Sequence, residues 1–210
     1  MCQSSKNHTI KDQLIKNKMP DTRYLNDMRE VIYDKEWSKN APDLELYYMY
    51  RNVKKENGLR YDITIIPFQM LGKEFVKTKG HEHPGNFTEL YEVLEGKAIF
   101  LMQKHKNDGI ENVYIVKAKK GDKIFIPAHY AHVTINPGQR DLKLSNWVAD
   151  NFKSNYGLMS KKKGAGYFAI KEKGELKWVK NENYKNIPKL RSEEPNKNIP
   201  ENLQNALKGL

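Results

Sequence analysis

Cysteine is nearly missing from this chain. The only one, Cys2, lies at the start of 210 residues, so no intrachain disulfide can form and any metal site must do without thiolate. Long apolar runs are missing too. No stretch approaches the roughly 18–20 residues that a membrane-crossing helix needs. Met1 to Lys18 is polar and lacks the apolar centre of a secretory signal. Together these absences lead to the expectation of a cytoplasmic protein with no membrane partner. Arginine is scarce as well, with six residues in a Lys+Arg total of 37. The net charge of +11 is therefore mostly lysine, placed near turns as in Lys54-Lys55, Lys119-Lys120 and Lys161-Lys162-Lys163. No helix-turn-helix, zinc-finger or RNA-binding pattern accompanies it. A solvated lysine surface that attracts small anions is expected, not a nucleic-acid partner. GxGxxG, a phosphate-binding P-loop and internal repeats are also lacking, and 38% hydrophobic content suffices for one core.

What the chain does have is a rhythm of short β-like runs separated by turn signals. Leu44 to Arg51 is rich in aromatics, and Asn57-Gly58 turns it into Tyr61 to Ile66. Leu71 to Thr78, Glu89 to Leu94, Ala98 to Gln103, Val113 to Ala118, Lys123 to Ile126, Ala131 to Ile135 and Leu142 to Val148 follow. A last hairpin joins Tyr167–Lys171 to Leu176–Val179. Many short strands at even spacing predict an all-β sandwich or barrel. Before them, Asp21 to Trp37 reads as a short helical stretch capped by Asp21 or Thr22, with Leu25, Met28, Ile32 and Trp37 facing inward. Three segments are expected: an N-terminal arm at 1–20, one domain at 21–180, and a polar C-terminal extension at 181–210 that ends in a short helix over Glu201–Lys208.

The chemistry concentrates in Gly80-His81-Glu82-His83. Two histidines one residue apart in extended chain share a face. Glu89 opens the next apolar run and His132 lies in a third. Three imidazoles and a carboxylate form a ligand set suited to a divalent transition metal. His8 and His105 are read as ordinary structural or surface residues. His129 offers an alternative imidazole near the site.

These residues resemble the paired motifs of the cupin superfamily. The first is His81-x-His83 with Glu89 and Gly96, the second Gly121, Pro127, His132 and Asn136. Two departures stand out. The spacing from His83 to Glu89 is longer than usual, and Phe75 and His129 stand where glycine is common. A finer likeness is to the cupin-type phosphoglucose isomerases of archaea and some bacteria. It rests on Arg23 to Met28, on Thr78-Lys79-Gly80-His81-Glu82-His83, on Glu89-Leu90-Tyr91, on Pro127 to Asn136 and on Tyr156-Gly157.

The resemblance implies a cupin fold, a double-stranded β-helix or jelly-roll barrel. It implies one divalent metal ion per subunit (Fe, Mn, Ni or Zn) on His81, His83, Glu89 and His132. It further implies interconversion of glucose 6-phosphate and fructose 6-phosphate, with Glu89 and Tyr91 in catalytic roles. Tyr47, Thr64, Thr78, Gly80 and Tyr156 match positions that bind the sugar phosphate. Trp147 and Lys153-Ser154 depart from the family pattern, so roles placed there do not carry over. A homodimer is expected, with Tyr47-Tyr48-Met49-Tyr50 as interface strand. The alternatives are another metal-dependent cupin enzyme, of oxygenase or decarboxylase type, and a non-catalytic sugar-binding cupin.

Overall fold

A computed structural model describes residues 14–195 and 199–210. Cys2 and His8 lie outside the described residues. The chain builds two main sheets that face each other. The first has β1 (Asp21–Tyr24), β2 (Glu45–Glu56), β3 (Leu59–Ile66), β6 (Glu89–Glu95), β9 (Lys123–Ile126) and β11 (Leu142–Ala149), in the order β1-β2-β3-β11-β6-β9. The second has β7 (Lys97–Lys106), β8 (Gly109–Lys119), β10 (Ala131–Ile135) and β14 (Arg191–Glu193), in the order β10-β7-β8-β14. From β6 to β11 the chain passes back and forth between the two sheets. That alternation is the wiring of a jelly roll, and the fold is the all-β cupin barrel.

The barrel closes over a core that includes Leu46, Ile66, Val93, Phe100, Met102, Val116, Ile124 and Leu144. The outer face of β7, β8 and β10 is covered in turn by a smaller sheet. It contains β4 (Met70–Leu71), β5 (Glu74–Phe75), β12 (Tyr167–Glu172) and β13 (Glu175–Lys180). Leu101, Ile115 and Val133 pack there with Tyr167 and Ala169. Burial on both faces explains why Ala98 to Gln103 reads as a continuous apolar run without alternation.

The N-terminal expectation needs correction. Asp21 to Tyr24 is a strand paired with β2, Arg23 opposite Tyr47 and Thr22 opposite Tyr48. Helix in this stretch is confined to a 3₁₀ turn at Arg29–Val31 and to α1, Lys35–Asn40, and α2 follows only at Gly157–Lys161. Asp34, not Asp21 or Thr22, caps α1 by accepting from Trp37 N at 3.1 Å. The hydrogen-bonding edge of β2 outweighs the weak helical preference of Asp21 to Tyr24. Leu25, Met28 and Ile32 are nonetheless fully buried. Leu71 to Thr78 is likewise not one strand, because Gly72 at φ 63° turns β4 into β5. β2 is not a free edge, since β1 covers it.

Candidate metal centre and substrate cavity

The segment 77–83 lies along β10 as an added strand. Thr78 N donates to Thr134 O at 2.8 Å, and His81 and His132 exchange backbone hydrogen bonds of 3.2 and 2.9 Å. On its other side Glu82 pairs with Asn155. Pairing on both sides fixes the alternation, so His81 and His83 face the same way with their Nε2 atoms 3.2 Å apart. Gly80 carries a positive φ of 83°, and a Cβ there would stand 2.6 Å from Val133 Cγ2. Only glycine permits this close, left-handed approach.

Glu89 begins β6 and reaches the two histidines from the opposite sheet. The donor atoms of His81, His83 and Glu89 lie within 4.8 Å of one another. His132 stands beside this group and is not part of it: its Nε2 is 3.3 Å from Glu89 Oε2 and 3.3 Å from the Tyr91 hydroxyl. His83 Nε2 is also 3.3 Å from Glu89 Oε2. Asn146, on β11, donates through Nδ2 to Glu89 Oε1 at 2.6 Å. His83, Glu89, Tyr91, His132 and Asn146 are all buried.

Burial and the neighbouring His132 hold the His81 imidazole well below its ordinary pKa. Burial also lowers His132, against the pull of Glu89. Burial opposes ionisation of Glu89, yet the imidazoles of His132 and His83 keep its carboxyl well below the usual range. Burial and the Glu89 charge push the Tyr91 hydroxyl well above its ordinary value. His81 and His132 are therefore held unprotonated at neutral pH and Glu89 is held as carboxylate, the forms in which such groups bind a metal. Glu89 Oε2 is buried, and no N–H or O–H among the described residues is aligned to donate to it. Imidazole nitrogens gathered around an unsatisfied anionic oxygen fit a divalent cation.

A cavity of about 60 Å³ opens on this cluster. Tyr47, Thr64, Thr78, Gly80 and Tyr156 all line it with His81, His83, Glu89 and Tyr91, so one space joins every residue expected at the site except His132. Tyr47 Oη accepts from Lys79 N at 3.3 Å, and Thr78 Oγ1 accepts from Thr134 N at 3.0 Å. His129 is exposed, at a φ of 65°, and does not line the cavity. The left-handed turn explains why glycine is common there and leaves the second motif to His132. Lys153 is exposed, and Trp147 packs outward against Tyr61.

Sequence reasoning missed Arg51, Arg60, Asp62 and Asn146, which line the same cavity. Asp62 stands 3.2 Å from Arg60 Nε and 3.8 Å from Arg51 Nη1. The signal was period 2: counting on from Tyr47 gives Arg51, and counting back from Thr64 gives Asp62 and Arg60. A β-bulge between Tyr50 and Lys54 hid the register of Arg51.

A jelly-roll barrel with a His-His-Glu group lining its cavity defines a cupin with a candidate metal site. A family model described as glucose-6-phosphate isomerase matches residues 23–187. Glucose-6-phosphate isomerase of Pyrococcus horikoshii is 30% identical over 78% of this chain and 87% of its own length. The Pyrococcus furiosus enzyme is 30% identical over 82% and 92%, and that of Pyrococcus abyssi 31% over 78% and 87%. The chain belongs to the glucose-6-phosphate isomerase family. Among solved structures, oxalate oxidase with glycolate aligns over 54% of this chain and 56% of its own, at 14% identity and a TM-score of 0.43. Oxalate decarboxylase of Bacillus subtilis aligns over 51% and 26%, at 17% identity and a TM-score of 0.39. Both overlaps are partial, and the fold assignment rests on the strand order and the family match.

Proposed function

We propose that this chain is a metal-dependent aldose–ketose isomerase that interconverts glucose 6-phosphate and fructose 6-phosphate, with the isomerase domain at 21–180. The observation that carries this reading is the single cavity that joins the His81, His83 and Glu89 cluster to Tyr47, Thr64, Thr78, Gly80 and Tyr156. His81, His83, Glu89 and His132 would hold one divalent ion, Fe, Mn, Ni or Zn. Such an ion supplies Lewis-acid polarisation of the carbonyl and hydroxyl oxygens at C1 and C2.

The chain's own residues do the rest. The hydroxyls of Tyr47, Thr64, Thr78 and Tyr156 and the amide of Gly80 take the phosphate. That N–H has no acceptor among the described residues. This end fixes the sugar's other end at Glu89. Glu89 removes the proton from C2 and returns it to C1 through a cis-enediol, the O2 hydroxyl proton passing to O1, while Tyr91, at His132, orients the substrate oxygens.

A second reading, a direct hydride shift from C2 to C1, is favoured by the Asn146 hydrogen bond to Glu89 Oε1, which makes that carboxylate a weaker base. Isomerisation in deuterated water separates the two: deuterium enters the product through the enediol and stays out in a hydride shift. A coupled assay for glucose 6-phosphate formation tests the function itself. No turnover with Mn, Fe, Ni or Zn supplied would sink it. Two copies are taken to pair through the edge of β1, which has no strand beside it among the described residues and carries exposed Tyr24, in the cytoplasm. No helix among the described residues is long and apolar enough to cross a membrane.

A further inference from the structure

The last helix, α3 (Leu203–Lys208), lies beyond the residues matched by the family model, which end at 187. It packs on the outer face of the six-stranded sheet. There it completes a third apolar cluster of Leu59, Leu90, Ala149 and Leu207, flanked by Phe87, Trp147, Phe152 and Leu203. Leu207 is fully buried. Without α3 this face of β3, β6 and β11 would be apolar and open to water.

The helix also touches the connection between two candidate metal ligands. Residues 84–88 join His83 to Glu89, the stretch whose length departs from the usual cupin spacing. Thr88 Oγ1 donates to Ala206 O at 2.7 Å. The backbone of Gly209 sits so close to Asn86 that an added Cβ would lie 3.0 Å from its carbonyl carbon. Phe87 stacks on Phe152 at 4.5 Å, and Phe152 lies 4.8 Å from the His83 ring. The far end of α3 is tied as well, by Gln204 donating to Asn57 O at 3.2 Å. One short helix therefore grips the loop next to Glu89 and, through Phe87 and Phe152, bears on His83.

We infer that α3 positions the metal site from outside the barrel: Thr88 and Leu207 are positioning residues that hold the 84–88 loop so that His83 and Glu89 converge on one ion. The physical basis is pre-organisation. A longer loop between two ligands has more conformations to lose when both must meet a metal. Docking of α3 removes that freedom before the ion arrives. This inference rests on the metal reading proposed above.

The test uses the full chain, with Co²⁺ as the probe ion titrated against a chelator. Thr88→Ala and Leu207→Ala should each weaken Co²⁺ binding about 10- to 100-fold, the range seen when groups that orient ligands are lost. They should also alter the visible Co²⁺ absorption. Thr88→Ser, which keeps the hydroxyl, should restore both. Hydrogen exchange of the metal-free protein should speed up at residues 84–88 in the two alanine variants and stay unchanged in β7 and β8. Unchanged Co²⁺ affinity and spectrum in the alanine variants, with only a lower melting temperature, would overturn the inference. So would weakened binding with no change in exchange at 84–88. If the unaltered protein binds no Co²⁺ but exchange at 84–88 responds as described, the clamp on the loop stands and the metal reading fails.

Discussion

Asn146 offers the sharpest check on the proposed centre, because it contacts a ligand and no metal chemistry is asked of it. Its amide donates to Glu89 Oε1 at 2.6 Å, and both residues are buried. Asn146→Ala removes that donor and leaves an anionic oxygen without it. A hydrogen bond to a charged group contributes about 1.5–3 kcal/mol. If the bond holds Glu89 in its ligating orientation, the loss appears in metal binding as a weakening of roughly 10- to 150-fold. The charge is carboxylate in metal-free and loaded protein alike, so part of the loss also appears as lower stability of the metal-free form. Equilibrium titration of Ni²⁺ or Co²⁺ against a chelator measures the first, and denaturant unfolding of the metal-free protein measures the second. Asn146→Asp is a harsher variant, placing a second carboxylate against Glu89 and raising the pKa of the pair. Unchanged metal affinity and turnover in Asn146→Ala would refute the reasoning, since the best-placed donor to Glu89 would then be irrelevant to it.

Three further outcomes are expected. His132→Ala should lose metal and isomerase activity together, whereas His129→Ala, altering an exposed turn residue, should leave both unchanged in a metal-loading and turnover assay. Gly80→Ala should raise KM for the sugar phosphate and lower the melting temperature, because φ 83° is strained for alanine and its Cβ would meet Val133 Cγ2 at 2.6 Å. His105 gives a pH dependence. Burial, then the Lys162 charge, lowers its pKa to about 4, and its ring nitrogen stands 2.9 Å from Gln103 Nε2. An unfolded histidine titrates near 6.5, so between that pH and about 4 the unfolded chain binds more protons. The His105 contribution is thus present above pH 6.5 and is lost as pH falls towards 4. Melting temperatures measured across this window should fall less steeply in His105→Asn.

Much of this protein was legible as sequence. The turn signal Asn57-Gly58 falls where a hairpin forms, and the strands of that hairpin and of the last one, Tyr167–Lys171 with Leu176–Val179, were readable in the pattern. Of the residues that carry a resemblance, Thr78, Gly80, His81, His83, Glu89 and Tyr91 also line the cavity. Local patterns failed where partners decide. Asp21 to Tyr24 became a strand because β2 presented unmet hydrogen bonds, a fact not written in those four residues. The aromatic run of β2 was expected at a subunit interface, but β1 covers that edge and Tyr47 turns into the cavity.

The sequence by itself determined the classes of side chain available: imidazoles and a carboxylate in strand-spaced positions, no thiolate, and glycine at the one point where the chain must pass β10 closely. Those are covalent facts, and alternation along a strand is enough to order them on faces. Only the tertiary structure decided which faces meet. It set Asn146 against Glu89, gathered Arg51, Arg60 and Asp62 into the same cavity, and left His129 outside it. It also brought α3 against the loop that joins two ligands. Each of these depends on register between strands or segments far apart in the chain. Register is set by the packing of the whole barrel, and no short stretch of sequence contains it.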